Sequence, residues 1–144
     1  ISGSKLAVDQ ACEKLKAAGA KRTLLLPVSA PFHCPLMQPA AERLRAHLAD
    51  LVLQPPTIAV INNIDVAQET DPARIRDALF RQAYGPVRWV ETIERMHQSG
   101  VTHVVEFGPG KVLAGMVKRI SPDLSSHALY DPATLAETFA FLNA

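Results

Sequence analysis

Apolar positions along the chain recur at helical spacing in some stretches and bunch without alternation in others. Leu6, Ala7, Ala11, Leu15 and Ala18 return every three or four residues. That spacing predicts a helix capped by Ser4 and ended by Gly19. Arg22 to Val28 is rich in Leu and reads as a strand. Leu36, Met37, Ala40, Ala41, Leu44 and Leu48 predict a helix over about residues 35–50. A connection broken by Pro55 and Pro56 follows. Thr57 to Ile61 is apolar without alternation, so a strand buried on both faces is expected there. Asn62 and Asn63 close it.

Asp71-Pro72 supplies a cap and a proline at the first helical position. The stripe behind it is Ile75, Ala78, Leu79 and Gln82. Tyr84-Gly85 stops that helix, and Pro86 is expected to open the next, which carries Val90, Ile93 and Met96 and ends at Gly100. Val101 to Phe107 reads as a strand, and Gly108-Pro109-Gly110 as a turn. Lys111 to Ile120 reads as a helix burying Leu113, Met116, Val117 and Ile120. Ser126 to Leu129 fits a last strand, and Asp131-Pro132 opens a final helix through Leu142. Strands and helices alternate, which predicts an α/β fold with a mainly parallel sheet.

Composition changes this picture little. The 144 residues suffice for one domain with a real core, and 48% hydrophobic with 20% charged residues is ordinary for a globular protein. Fifteen basic residues stand against fourteen acidic ones, so charge gives no case for nucleic acid or a membrane surface. No apolar run is long enough to span a bilayer, and the first residues carry no signal-peptide pattern. Cys12 and Cys34 are far apart and suit a reducing cytoplasm better than a disulfide framework.

The candidate chemistry centres on Ser29-Ala-Pro-Phe-His-Cys-Pro-Leu-Met37, a turn between an expected strand and an expected helix. His33 in that turn is either a hydrogen-bonded structural residue or a proton carrier at the mouth of a cleft. Cys34 beside it reads as a packed thiol rather than half of a Cys/His dyad, because adjacent side chains diverge. Gln82 shares the inward stripe of its helix and is either a buried amide needing partners or an edge residue at a frayed end. Asn62 and Asn63 either line a cleft or form a turn. Asp65 has no evident partner. Gly108-Pro-Gly-Lys111 lacks the spacing of a phosphate loop and reads as a turn into a helix. His47, His97, His103 and His127 show no ligand spacing, and no metal site is expected.

The wording around His33 resembles the active-site histidine segment of malonyl-CoA:acyl carrier protein transacylases. Val60-Ile-Asn-Asn-Ile-Asp65, Ile75-Arg-Asp-Ala-Leu79, Arg81-Gln82, Pro86-Val-Arg-Trp89 and Glu106-Phe-Gly-Pro-Gly-Lys-Val-Leu113 resemble the same family in the same order. The resemblance implies an α/β-hydrolase-like large subdomain, its C-terminal part over residues 29–144. Residues 1–28 are then the tail of a ferredoxin-like small subdomain. It implies His33 as the catalytic base and Gln82 as the group orienting its ring, through a side-chain or a main-chain oxygen. Phe32 is implied as a gate favouring malonyl over methylmalonyl, with a core filler as the alternative. Malonyl-CoA and the phosphopantetheine arm of acyl carrier protein are implied as substrates, with no metal or redox cofactor.

None of the seven serines lies in G-x-S-x-G. In this family the nucleophilic Ser and the malonyl-binding Arg precede the histidine. The chain is therefore expected to be a C-terminal piece that works with the upstream remainder of its enzyme. Two rival expectations are an acyltransferase domain of a polyketide or multifunctional fatty acid synthase, and a catalytically silent α/β interaction fragment.

Overall fold

The structure, a computed structural model, describes residues 1–143. They form a mixed α/β chain that divides into two compact units, Ile1–Arg88 and Trp89–Ala144.

In the first unit, α1 (Lys5–Ala17) starts where Ser4 Oγ accepts from the Ala7 N–H at 3.4 Å. It ends before Gly19, whose φ of +90° reverses the chain at no Cβ cost. The covered face is Val8, Ala11 and Cys12, whereas Leu6 and Leu15 of the expected stripe are exposed. A 3-10 turn, Pro35–Met37, leads into α2 (Gln38–Ala49). Helix α3 (Pro72–Gln82) is capped by Asp71, whose carboxylate accepts from the Ala73 N–H at 2.6 Å. Ala41 and Leu48 of α2 and Ala78 of α3 are buried, and the two helices pack together. Arg76 of α3 reaches the carbonyls of Leu48 and Leu51 at 2.9 and 2.6 Å, so a cation sits at the C-terminal end of α2, where the helix dipole favours it. The Arg45 guanidinium lies 4.7 Å from the centre of the Phe80 ring.

The strand expected over Arg22–Val28 is not formed, and residues 22–28 are irregular. The Thr57–Ile61 strand is likewise absent; only a single bridge pairs Ile61 with Gln68. Ile58 and Val60, expected to be buried on both faces, are exposed, as are Leu24, Leu25, Leu26 and Val28. A strand exists only by pairing, and neither run finds a parallel neighbour among the described residues.

The second unit opens with α4 (Trp89–Gln98), which starts at Trp89 rather than Pro86 because the Arg88 N–H is drawn to the Asn63 carbonyl at 3.0 Å. Strand β1 (His103–Phe107), helix α5 (Val112–Ile120) and strand β2 (Ser125–Leu129) form a parallel β-α-β unit, with Val104 facing Ser126 and Phe107 facing Leu129 in register. Helix α6 (Pro132–Leu142) follows, with a reciprocal cap between Asp131 and Thr134. Hydrogen bonding to the Thr134 backbone N–H holds the Asp131 carboxyl below its usual range.

Ile93, Val117 and Leu124 make the core here, Ile93 and Val117 being 0% exposed. Trp89, Met96, Val101 and Ile120 pack against them, while Leu113, expected inside, is exposed. Two ties fix α5 on the strands. Glu106 of β1 accepts from the Ala114 N–H at 2.8 Å, and Ser126 of β2 donates to the Ala114 carbonyl at 2.9 Å. His103 and His127 flank the Phe141 ring at 4.8 and 5.4 Å between centres, and His97 bonds Ser121 at 2.8 Å. These three histidines are packing residues of their unit.

Ile93→Ala should cost about 2–5 kcal/mol, because its cavity lies in a core that cannot collapse around it. Val112→Ala, at an exposed position, should change stability by less than about 0.5 kcal/mol. Urea midpoints of the two variants check the contrast.

Candidate active site

Three prolines, Pro27, Pro31 and Pro35, punctuate the His33 segment, each lacking an N–H and holding φ near one value. Between them the chain folds tightly. The Val28 N–H donates to the Leu26 carbonyl at 2.8 Å, and the Phe32 N–H to the Ala30 carbonyl at 2.9 Å. Cys34 is buried and its thiol donates to the Pro31 carbonyl at 3.1 Å. The thiol is thus turned inward and makes no dyad with its neighbour.

His33 is the counterpart of that inward turn. Its backbone sits at φ +60°, a left-handed conformation that costs a non-glycine residue about 1–2 kcal/mol. Its side chain is exposed and makes no hydrogen bond within the described residues. Strained backbone of this kind persists where the surroundings over-determine it and concentrates at functional sites. Phe32 stands beside it, 45% exposed, so its ring is not part of the core of this unit.

A second focus is the loop over residues 62–67. Asn62 organises it: its Oδ1 accepts from the Asp65 N–H at 2.7 Å, its Nδ2 donates to the Ala67 carbonyl at 3.1 Å, and its own N–H donates to that carbonyl at 3.0 Å. The Asn62 carbonyl takes the Val66 N–H at 3.1 Å, and Val66 itself lies at φ +57°. Asn62 therefore fills the expected turn-forming role.

The last turn of α3 holds this loop by two adjacent residues. Gln82 Oε1 accepts from the Asn63 N–H at 2.7 Å. Arg81 grips both carboxylate oxygens of Asp65, at 2.7 and 2.6 Å, and its Nε donates to Asp77 at 2.7 Å. Gln82 is thus a half-buried amide with a partner rather than a frayed edge. Its side-chain oxygen is engaged with Asn63. Its main-chain carbonyl has no helical donor, since Pro86, four residues on, lacks an N–H and the Gly85 N–H goes to the Arg81 carbonyl at 2.8 Å. Gly85 has no room for a side chain: a Cβ would stand 2.9 Å from the Arg81 carbonyl oxygen and would clash with the tip of Ile64.

Gln82, Asn62 and Asn63 share the wall of a cavity of about 410 Å³ with Ile75, Leu79 and Val60. His33 is not on that wall. The partner of Asp65 escaped sequence reasoning because sixteen positions separate it from Arg81; the one usable signal was that Arg81 sits beside the inward-facing Gln82. In the second unit a shallow groove of about 560 Å³ opens at the carboxyl ends of β1 and β2, lined by Gly108, Pro109, Leu129, Tyr130 and Leu135. Its ionisable lining residues are Tyr130 and the capping Asp131. No cluster of metal-ligating side chains occurs among the described residues, and no helix is long and apolar enough to cross a membrane.

No family model matches the sequence. The malonyl CoA-acyl carrier protein transacylase of Salmonella typhimurium is 53% identical over 136 residues, which is 94% of this chain and 44% of the relative. That of Bacillus subtilis is 42% identical over 135 residues, 94% of this chain and 43% of the relative. This chain is a homologue of malonyl-CoA:acyl carrier protein transacylases.

Solved transacylases share its fold. The acyl-carrier-protein S-malonyltransferase of Burkholderia pseudomallei superposes with a TM-score of 0.91 at 54% identity, over 96% of this chain and 45% of that one. A malonyl-transacylase in complex with a type II PKS acyl-carrier protein gives 0.93 at 47% identity, over 96% of this chain and 45% of that one. The chain thus spans under half the length of the transacylases it matches, and within that span the α/β arrangement agrees with theirs.

The Arg81 hydrogen bonds hold the Asp65 carboxyl below the usual carboxylate range, against the opposing effect of burial and with help from the charges of Arg81 and Arg88. A carboxyl lowered in the folded state adds stability above its unfolded pKa of about 4, and that stability is lost as pH falls through the folded value. The pair is about a third exposed, so the contribution should be below about 1 kcal/mol. Asp65→Asn should therefore be slightly less stable than the parent at pH 7, and the gap should close on acidification below pH ~4. Urea midpoints taken at several pH values read this directly.

Proposed function

We propose that the complete protein transfers a malonyl group from malonyl-CoA to the phosphopantetheine thiol of acyl carrier protein in fatty acid biosynthesis, in the cytoplasm. The observation that carries the reading is the exposed, left-handed His33 in a chain homologous to malonyl-CoA:acyl carrier protein transacylases over 94% of its length. The nucleophilic Ser and the Arg that binds the malonyl carboxylate belong to the upstream part. Residues 1–28 are the tail of a ferredoxin-like small subdomain, and residues 29–144 the C-terminal part of an α/β-hydrolase-like large one. The exposed apolar runs Leu24–Leu26 and Ile58–Val60 suit packing against that upstream part.

In this reaction His33 takes the proton of the Ser hydroxyl as its oxygen attacks the malonyl thioester carbonyl. The tetrahedral intermediate collapses, and His33 gives the proton to the departing CoA thiolate. The carrier thiol then loses its proton to His33 and attacks the malonyl ester; the proton returns to Ser as malonyl-carrier leaves. An imidazole in this role needs an acceptor on its second nitrogen to set tautomer and orientation. In this reading Gln82 supplies it through its main-chain carbonyl, which has no helical donor, while its Oε1 is bonded to Asn63. A neutral carbonyl orients the ring but stabilises imidazolium less than a carboxylate would. Asn62 and Asn63 shape the cleft wall through the loop they hold.

His33→Ala in the complete protein should lower malonyl transfer by about 10²–10⁴-fold with an unchanged melting temperature. Transfer at the parent rate would return His33 to a structural role. Phe32 gates the acyl group: its ring leaves room for the CH₂ of malonyl and crowds a methyl on that carbon. One methyl typically discriminates by about 1–3 kcal/mol. Phe32→Ser should accordingly raise the methylmalonyl-to-malonyl ratio of kcat/KM by about tenfold or more. A fixed ratio together with lost stability would make Phe32 a packing residue.

A further inference from the structure

Arg81 and Gln82 are consecutive residues in the last turn of α3, and each grips a different residue of the loop over 62–67. The loop is stiff. Asn62 ties both of its ends, the Asp65 N–H is anchored on Asn62 Oδ1, and Val66 is held in a left-handed conformation that a β-branched residue seldom adopts. The Arg81 guanidinium has little freedom left, with two nitrogens on Asp65 and Nε on Asp77. An exposed ion pair is a poor source of stability, whereas a bidentate fork is a good source of fixed geometry. Two adjacent grips on a stiff loop set both the rotation and the height of the turn that carries the Gln82 main-chain carbonyl.

We propose that the Arg81–Asp65 pair is a positioning device for the Gln82 carbonyl and, through it, for the imidazole of His33. The inference rests on the roles assigned above to His33 and Gln82. Neither Arg81 nor Asp65 touches substrate in this scheme; each acts by where it holds α3. Charged neighbours of the pair are Asp77, on α3, and Arg88, whose charge reaches Asp65.

The test uses the complete protein with Asp65→Asn, Arg81→Gln and Arg81→Lys, alongside His33→Ala. Misplacing a reacting group by about 1 Å costs up to on the order of 100-fold in rate. Each pair variant should lose about 10–100-fold in kcat with KM for malonyl-CoA near the parent value. The acid limb of the kcat profile should move to lower pH in all three, because the imidazolium form loses its acceptor. Charge alone predicts otherwise: removing the Asp65 carboxylate moves the limb down, removing the Arg81 cation moves it up, and Arg81→Lys leaves it in place. Arg81→Lys keeps the charge but not the planar fork, so it carries the test should Arg81→Gln fail to fold. Folded pair variants with parent kcat and an unmoved acid limb, or with opposite shifts that follow charge, would sink the proposal while an inactive His33→Ala upholds the underlying reading. A fully active His33→Ala would overturn both.

Discussion

The double hold of helix α3 on the loop that follows Asn62 is the contact on which the first unit depends. Arg81 takes the Asp65 carboxylate and Gln82 takes the Asn63 N–H, so neighbouring side chains of one helical turn fix two points of one loop. The constraint propagates along the backbone. Asn63 in turn accepts the Arg88 N–H, which delays the start of α4 to Trp89. Gly85 must lack a side chain for the chain to pass between Ile64 and the Arg81 carbonyl. Helix α3 is also tied to the end of α2 by Arg76, which donates to the carbonyls of Leu48 and Leu51. Polar side chains bonded to backbone groups set the geometry of this unit, since few of its large apolar residues are buried.

The second unit is held in a different way. Its parallel strands share hydrogen bonds, its crossover helix supplies Val117 to a small apolar core, and polar ties at Ala114 fix that helix in register. Glu106 places a carboxylate at the N-terminal turn of α5, where the helix dipole favours it. Phe141 is enclosed by His103 and His127, which accounts for two of the histidines without any chemistry. The unit is a conventional β-α-β module, and the groove at its strand ends has Tyr130 and the capping Asp131 as its ionisable lining.

The residues of the proposed site all belong to the first unit. A histidine is displayed on a strained turn with an aromatic ring next to it in sequence, and the last turn of α3 ends on a carbonyl with no helical donor. A proton carrier and its orienting acceptor are what an acyl transfer to serine asks of the residues downstream of the nucleophile. The transacylases that the chain matches extend over more than twice the aligned length.

The sequence by itself determined the helices, their caps and the parallel pair in the second unit, because these follow from local rules. Ser4, Asp71 and Asp131 cap within a few residues, Gly19 and Gly100 end helices by their freedom at positive φ, and the Val101–Phe107 and Ser126–Leu129 runs flank a strongly periodic helix. It also put Gln82 on the inward stripe of its helix, and left open whether the residue was a buried amide or a frayed edge. Only the tertiary structure decided which apolar runs become strands, since Arg22–Val28 and Thr57–Ile61 have the composition but lack a neighbour to pair with. Tertiary structure alone also joined Asp65 to Arg81 and the Gln82 amide to Asn63. Contacts between residues far apart along the chain depend on how the backbone returns, and no local pattern of side chains encodes that return.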